Sequence, residues 1–289
     1  MIGAFISVIN LGSIMENQEE KHKGLVDELE QLYFLFFEIS NHIGGRSGVS
    51  FKEEKGSLII IKATLTIEAV VKSLPYSNFN SSKLKFWDIP TILILIRCLL
   101  ETYLTYYYLC IQQGENNEEL LKELLWEYQA EKERLKLLSK LKSKYIDEIK
   151  ENCDSLYKKI SNSESFNQLS ASKRKDIRKG KIFSLITKEE LADLSGFGKC
   201  YYNLIYKQCS SCIHTNGISL QYIHDSIKEI DNTLRFINTV LVYCKNILYL
   251  LIRDIKIQFS DVSSIIPKHI EEIVVDTENF LEDFNRRFE

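Results

Sequence analysis

Residues 88–112, with the sequence DIPTILILIRCLLETYLTYYYLCIQ, are apolar on almost every face and carry the strongest structural signal in the chain. Asp88 stands where an N-cap would stand, and Pro90 falls in the first turn that follows, so a helix is predicted to begin here. A helix that is apolar nearly all round belongs in the centre of a bundle. The stretch therefore predicts a buried central helix in an all-α protein.

The rest of the chain also favours helices. Its 289 residues include only 3 prolines and 12 glycines, the residue types that break helices. Apolar residues recur at helical spacing from Asn17 to Ile43 and from Glu118 to Lys142. We expect an all-α multi-helix bundle with long amphipathic helices, forming a single α-helical domain. Within it, residues 1–54 would be an N-terminal helical extension, residues 55–260 the core bundle and residues 261–289 a C-terminal helix.

The overall charge excludes a uniformly basic nucleic-acid-binding protein. The formal net charge is −3, so the whole molecule does not attract nucleic acid by an excess of positive charge. A local basic run extends from Lys173 to Lys181, opposed only by Asp176. This run either contacts RNA phosphates or is simply a solvated loop or helix end.

The cysteine content and the apolar segments predict the cellular location of the protein. The 7 cysteines are odd in number, and Met1 to Met15 carries no lysine or arginine, which a secretory leader needs. Two stretches, Pro90 to Ile111 and Phe236 to Ile255, are apolar but contain charged residues that would be costly in lipid. We therefore expect a cytoplasmic protein with reduced thiols and no membrane partner.

A polar stripe runs along the central helix. Arg97, Glu101, Thr105 and Tyr108 fall within roughly 80° of arc at 100° per residue. Buried charges are costly unless they are paired. Arg97 and Glu101 can pair with each other, but their other hydrogen-bonding groups need further partners.

A second stripe is predicted on a helix from Lys199 to Thr215. Asn203, Lys207, Ser210 and His214 share about 60° of arc, and Tyr206 flanks them. His214 falls in the last predicted turn, where the helix dipole favours an imidazolium. If the two stripes face each other, they bring together the groups needed for metal-free phosphodiester cleavage.

In that reading the catalytic residues are Arg97, Glu101 and His214. His214 acts as general acid or base, and Glu101 orients Arg97. Arg97 and Lys207 hold the phosphate and its developing charge. The expected substrate-binding residues are Lys207, Ser210, Asn203, Tyr206 and Tyr108, and no metal or cofactor is required. The alternative is a buried network that fixes helix register in a non-catalytic scaffold or regulatory protein.

Two motifs carry a resemblance to known proteins. The strings RCLLETY, from Arg97 to Tyr103, and YKQCSSCIH, from Tyr206 to His214, resemble an uncharacterised bacterial all-helical family with R-x3-E and Y-x3-S-x3-H motifs. That resemblance spans about residues 55 to 260. More loosely, the chain resembles the HEPN superfamily of helical ribonucleases and toxins. This likeness implies an RNA substrate, a role in bacterial antiviral defence with a partner protein, and a homodimer with two sites near its interface.

The pair Cys209 and Cys212 leaves a third interpretation open. A zinc or thiol-redox site would need further ligands, for which Cys200, His214 and His224 are the candidates. Within a helix, however, cysteines three residues apart are simply neighbours on one face. Free cysteine is also commonly a small buried apolar residue.

Overall fold

The computed structural model describes residues 17–46, 49–80, 88–114, 116–213, 217–228 and 230–288. These ranges contain α-helices, one π-helical turn and one 3-10 turn, and no strand. The predicted all-α multi-helix bundle is therefore confirmed. Residues 1–16, 47 and 48 of the expected N-terminal extension lie outside the described residues.

The helices follow one another with short connections. In chain order they are α1 Gln18–Ile43, α2 Phe51–Ser73, α3 Ile89–Tyr106, α4 Asn116–Lys140, α5 Ile146–Ser161, α6 Glu164–Gln168, α7 Ala171–Arg178, α8 Lys188–Leu194, α9 Lys199–Ser210, α10 Gly217–Lys228, α11 Ile230–Gln258 and α12 Lys268–Phe288. The π-helical turn, Tyr107–Ile111, directly continues α3, and the 3-10 turn, Ser260–Ser264, precedes α12.

The chain forms two compact units. Unit 1 comprises residues 1–110 and 189–289, and unit 2 comprises residues 111–188. Unit 2 is thus an insertion between α3 and the later helices of unit 1. The expectation of a single domain stays a prediction. A single cooperative unfolding transition would support it.

Unit 1 is built around α3. The Asp88 side chain accepts a hydrogen bond from the Thr91 amide at 3.2 Å, and Pro90 lies in the first turn, as the sequence predicts. The helix packs against α2, α9, α10 and α11. Leu99, Leu100 and Tyr103 are fully buried within it. The predicted buried central helix is therefore present, and it positions the polar residues that share its sequence.

Two described segments, Ile89–Ile111 and Asn232–Gln258, are long and apolar enough to cross a bilayer by length and composition. Of the apolar window in each, 61% and 78% is buried inside the protein. The core helix of a soluble bundle meets the same criterion. Length and composition are therefore weak evidence for membrane insertion.

Unit 2 has its own small core, in which α4 packs against α5 and α6. Its buried residues are Leu121, Leu124, Leu125, Tyr128, Ile149, Cys153, Ile160, Phe166 and Ile177. The basic run forms α7, whose N-terminus is capped by the Ser170 hydroxyl accepting from the Lys173 amide. Burial of Ile177 fixes which side of α7 faces the core, so the lysines and arginines lie on its outer side.

Candidate functional site

Arg97 and Glu101 lie one turn apart on α3. The Arg97 Nε donates to Glu101 Oε1 at 3.4 Å, and the two side chains are 20% and 37% exposed. The Thr105 hydroxyl donates to the Glu101 carbonyl oxygen at 2.8 Å, along the same side of the helix. The first part of the predicted polar stripe is therefore half-buried and retains access to solvent.

Helix α9 is held by a cap from a distant part of the chain. Its N-cap is Gly198, which supplies no side-chain hydrogen bond, and the Asn285 Oδ1 of α12 accepts from the Tyr201 amide at 3.2 Å. Gly198 has φ +82, and a Cβ there would lie 1.8 Å from Asn285 Nδ2. Only glycine therefore fits at this close approach. The cap fixes where α9 begins and so positions its later residues.

The two helices meet at Arg97 and Tyr206. The Arg97 Nη2 donates to the Tyr206 hydroxyl at 2.9 Å, and the guanidinium carbon lies 4.7 Å from the Tyr206 ring centroid. The face of an aromatic ring attracts a guanidinium that lies above it, which is a cation–π contact. Tyr202 stacks on Tyr206 with ring centroids 5.3 Å apart, and burial raises the pKa of Tyr202. We call Arg97, Glu101, Tyr202 and Tyr206 the Arg97 cluster.

Arg97 keeps donors to spare. A guanidinium carries five N–H donors. Its Nε bonds Glu101 and its Nη2 bonds Tyr206, and no other acceptor among the described residues is hydrogen-bonded to it. Its remaining N–H groups can therefore donate to anionic oxygens in the forked geometry that suits phosphate.

The other predicted substrate-binding residues differ from one another in how far they are exposed to solvent. The Ser210 hydroxyl donates to the Tyr206 carbonyl oxygen at 2.5 Å, within α9. Lys207 is exposed and Asn203 is half-buried. Tyr108 is buried in the π-helical turn, and the 100° step used to place it on the Arg97 stripe no longer applies after Tyr106.

His214 lies outside the described residues. Helix α9 ends at Ser210, and Ser211 and Cys212 form a turn. The helix predicted to reach Thr215 therefore ends earlier, at Ser210. Helical spacing no longer supports a position for His214 on the same stripe as Asn203.

The cysteine pair has the properties of core residues. Cys209 is fully buried, and burial raises the pKa of its thiol to about 12. Burial also raises the pKa of Cys212. Raised thiol pKa values oppose the thiolate form that metal binding and redox chemistry require. Within the described ranges, no group of three histidine, cysteine, aspartate or glutamate side chains could hold a metal ion.

A second polar network was not anticipated from the sequence. Arg253 of α11 donates to Asp254 Oδ1 at 2.7 Å, to Glu278 Oε1 at 2.9 Å and to the Ser195 carbonyl oxygen at 2.8 Å. Tyr103 of α3 also donates to that carbonyl, at 3.2 Å. The signal in the sequence was an adjacent arginine and aspartate within residues 247–255, a stretch of α11 that is otherwise apolar. The network joins α3, α11 and α12; Tyr103 and Asp254 are fully buried in it, whereas the Glu278 side chain is 41% exposed.

Comparison with known proteins places the chain in a family. The family of unknown function DUF5677 matches residues 78–232, which is more than half of the chain. The protein therefore belongs to that family. The matched region contains both Arg97 and Tyr206, together with the whole of unit 2. No curated protein and no solved structure matches the chain.

Proposed function

We propose that the protein is a metal-independent ribonuclease or toxin of the HEPN-like type, acting in a bacterial antiviral defence system. One observation carries the proposal: the Arg97 guanidinium is held at the junction of α3 and α9, is 20% exposed and keeps N–H donors free of described acceptors. An arginine positioned in this way is suited to bind a scissile phosphate and the charge that develops on it.

Each group has a role in this proposal. Arg97 binds the non-bridging phosphate oxygens, and Glu101 and Tyr206 fix the orientation of its guanidinium. His214 takes the proton of the ribose 2′-hydroxyl. The bond from the 2′ oxygen to phosphorus forms as the bond to the 5′ oxygen breaks, and the leaving 5′ oxygen takes a proton from water. The products are a 2′,3′-cyclic phosphate and a 5′-hydroxyl end.

Lys207, Asn203 and Ser210 supply the flanking contacts in the proposal. Lys207 is exposed and can approach a neighbouring phosphate, and the half-buried Asn203 lies one turn before it on α9. The likeness to HEPN proteins further leads us to propose a cytoplasmic homodimer with a partner protein from the defence system. Light scattering of the purified protein tests the dimer.

A cleavage assay on total RNA in excess EDTA tests the proposal. It compares wild type with His214→Ala and with the matched control His269→Ala, which removes an exposed histidine from α12. We expect wild type and the control to cleave and His214→Ala to lose activity at an unchanged melting temperature. If none of the three proteins cleaves RNA, or if His214→Ala cleaves as wild type does, the proposal fails.

A second candidate is a non-catalytic scaffold or regulatory protein of such a system. The same contacts favour it, since the bond from Arg97 to Tyr206 also fastens α3 to α9. Loss of a hydrogen bond that leaves a partner unsatisfied costs about 1–3 kcal/mol. A drop in melting temperature on His214→Ala, without any cleavage by wild type, would favour this candidate.

A further inference from the structure

A basic groove lies within unit 2, between α4 and the C-terminal end of α7. It encloses about 700 Å³. Its lining residues are Lys132, Leu135, Lys136, Ser139, Lys175, Arg178 and Lys179. Five of these seven are cationic and none is acidic, so the lining of this α4–α7 groove is strongly positive.

The groove is held by specific contacts. The Tyr128 hydroxyl of α4 donates to the Arg178 carbonyl oxygen at 2.9 Å, which ties the end of α7 to α4. Gly180 follows with φ +63, and a Cβ there would lie 2.6 Å from the Lys132 Cβ. Glycine at this position therefore permits the close approach of the two walls. Burial of Ile177 keeps the cations of α7 turned away from the unit 2 core.

Most of these charges lack a counterion. Lys132, Lys175, Arg178 and Lys179 form no ion pair with the carboxylates of the described residues, whereas Lys136 pairs with the exposed Glu133 at 2.6 Å. Unit 2 contains 17 lysines and arginines against 13 aspartates and glutamates, a net charge of +4, although the whole chain carries −3. Positive charge is thus concentrated in the inserted unit.

Contacts within unit 2 account for only part of this arrangement. Cations near the C-terminus of a helix interact favourably with its dipole, which explains Arg178 and Lys179. Lys132 lies two turns before the end of α4 and gains little from that effect, although its Nζ lies 5.7 Å from the Tyr128 ring centroid. Like charges four residues apart, such as Lys132 and Lys136 or Lys175 and Lys179, destabilise a helix. The clustering costs stability, and a bound anion would offset that cost.

We propose that the α4–α7 groove binds nucleic acid through its sugar–phosphate backbone. Five cations along two helices match a chain of phosphates better than a single anion. Leu135 is the only apolar lining residue, so the groove lacks the apolar anchors on which peptide docking depends. The lining also has no aromatic ring or amide for base contacts, so binding is independent of sequence. This proposal does not depend on cleavage by the Arg97 cluster.

Fluorescence anisotropy of a labelled RNA strand of about 20 nucleotides tests the groove in the full-length protein. All 2′-hydroxyls carry methyl groups, so the probe cannot be cleaved through a 2′-oxygen. The groove variant Lys132→Gln/Lys175→Gln/Arg178→Gln is compared with Lys150→Gln/Lys158→Gln/Lys159→Gln, which removes the same charge from exposed positions on α5. Melting temperatures of all three proteins establish that each is folded.

Each phosphate contact on a single strand contributes about −0.7 to the slope of log K against log salt. With five contacts, the expected slope for wild type is about −3.5. The slope for the groove variant should be shallower by about 2, and this variant should bind RNA at least about tenfold more weakly than wild type. The α5 variant should bind RNA within about twofold of wild type. Equal losses in both variants, or no binding by wild type, would overturn the proposal.

Competition distinguishes nucleic acid from other anions. Inorganic phosphate, a polyglutamate peptide and vesicles containing phosphatidylserine are added to the RNA complex in turn. Displacement only by unlabelled RNA at comparable concentration supports the proposal. Displacement by millimolar phosphate would indicate a single-anion site, and tighter groove-dependent binding of the peptide or vesicles would indicate a protein or lipid partner. Either of these results would replace nucleic acid as the ligand.

Discussion

At the scale of single residues, Arg97 finds its partner in a distant part of the chain, where the Tyr206 hydroxyl accepts its hydrogen bond. A half-buried arginine on an apolar helix requires partners, and this predicted that another polar face would approach it. The sequence could not select Tyr206 as the acceptor, since 109 residues separate the two positions. Nor could it predict that Tyr108 would lie buried in a π-helical turn, because that hydrogen-bonding pattern depends on packing.

Cysteine reactivity is a prediction at this scale. Burial raises the pKa of Cys209 to about 12, so its thiol stays protonated near pH 8. We expect iodoacetamide to label the exposed Cys98 of the native protein well before Cys209. Mass spectrometry of timed samples measures both rates, and a urea-unfolded sample provides the control in which the two converge. Equal labelling rates in the folded protein would show that Cys209 is not buried as described.

At the scale of helices, the sequence predicted most elements and misplaced several ends. Helical periodicity located α1 to within one residue, because Asn17 caps the helix and Gly44 ends it. Helical periodicity also predicts one helix from Ser219 to Phe259; α10 ends at Lys228 and α11 begins at Ile230, and residue 229 lies outside the described residues. The polar, serine- and asparagine-rich stretch from Ser161 to Ser172 favours a loop, yet it contains α6. A short helix of this kind is set by tertiary contacts, which override weak local propensities.

The cap of α9 by Asn285 gives a prediction for a whole element. Asn285 accepts from the Tyr201 amide and donates to the Phe197 and Leu281 carbonyl oxygens, the latter at 2.7 Å. Replacing a capping side chain by alanine costs about 0.5–2 kcal/mol. We expect Asn285→Ala to lower the free energy of unfolding, measured by urea denaturation, by about 0.5–2 kcal/mol or more.

Two further variants separate the cap from general surface effects at the end of α12. Asn285→Asp retains an acceptor for the Tyr201 amide but sets a carboxylate oxygen against the two carbonyl oxygens, so its stability should also fall below that of wild type. Arg286→Ala removes an exposed neighbour and should change the unfolding free energy by less than about 0.5 kcal/mol. Equal stabilities for wild type and Asn285→Ala would rule out the cap.

At the scale of the whole molecule, charge and composition predicted the fold class but not the two compact units. The net charge of −3 excluded a uniformly basic protein, yet it concealed a unit of net charge +4. The basic run from Lys173 to Lys181 was visible in the sequence. Its opposing wall on α4 was not, since Lys132 and Lys136 read as ordinary outward positions of an amphipathic helix.

The pH dependence of global stability follows from Asp254. The side chain is fully buried and its Oδ2 has no hydrogen-bond partner among the described residues. Burial raises the pKa of Asp254 from 3.8 to about 6, although Arg253 acts against this shift. Between these values the folded state binds more protons than the unfolded state. The contribution of Asp254 to stability is therefore present below pH 3.8 and lost as pH rises through about 6.

The matching experiment compares wild type with Asp254→Asn, which has no titratable group at this position. The unfolding free energy of wild type minus that of the variant should shrink by up to about 3 kcal/mol between roughly pH 4 and pH 7. Burial lowers the pKa of His22, which gives an opposite trend, but His22 is present in both proteins and cancels. A difference that stays constant with pH, or that grows, would contradict the raised pKa.

In the proposed cleavage of RNA, Arg97 binds the scissile phosphate and no metal ion takes part. Arg97→Lys tests it directly, because lysine keeps the positive charge and loses the planar fork. The measurement is single-turnover cleavage of a labelled RNA in EDTA, with the melting temperature of each protein alongside. We predict cleavage by wild type, with 2′,3′-cyclic phosphate ends, and a rate about a hundredfold lower for a folded Arg97→Lys protein. Absence of cleavage by wild type, or equal rates for the two proteins, would contradict the claim.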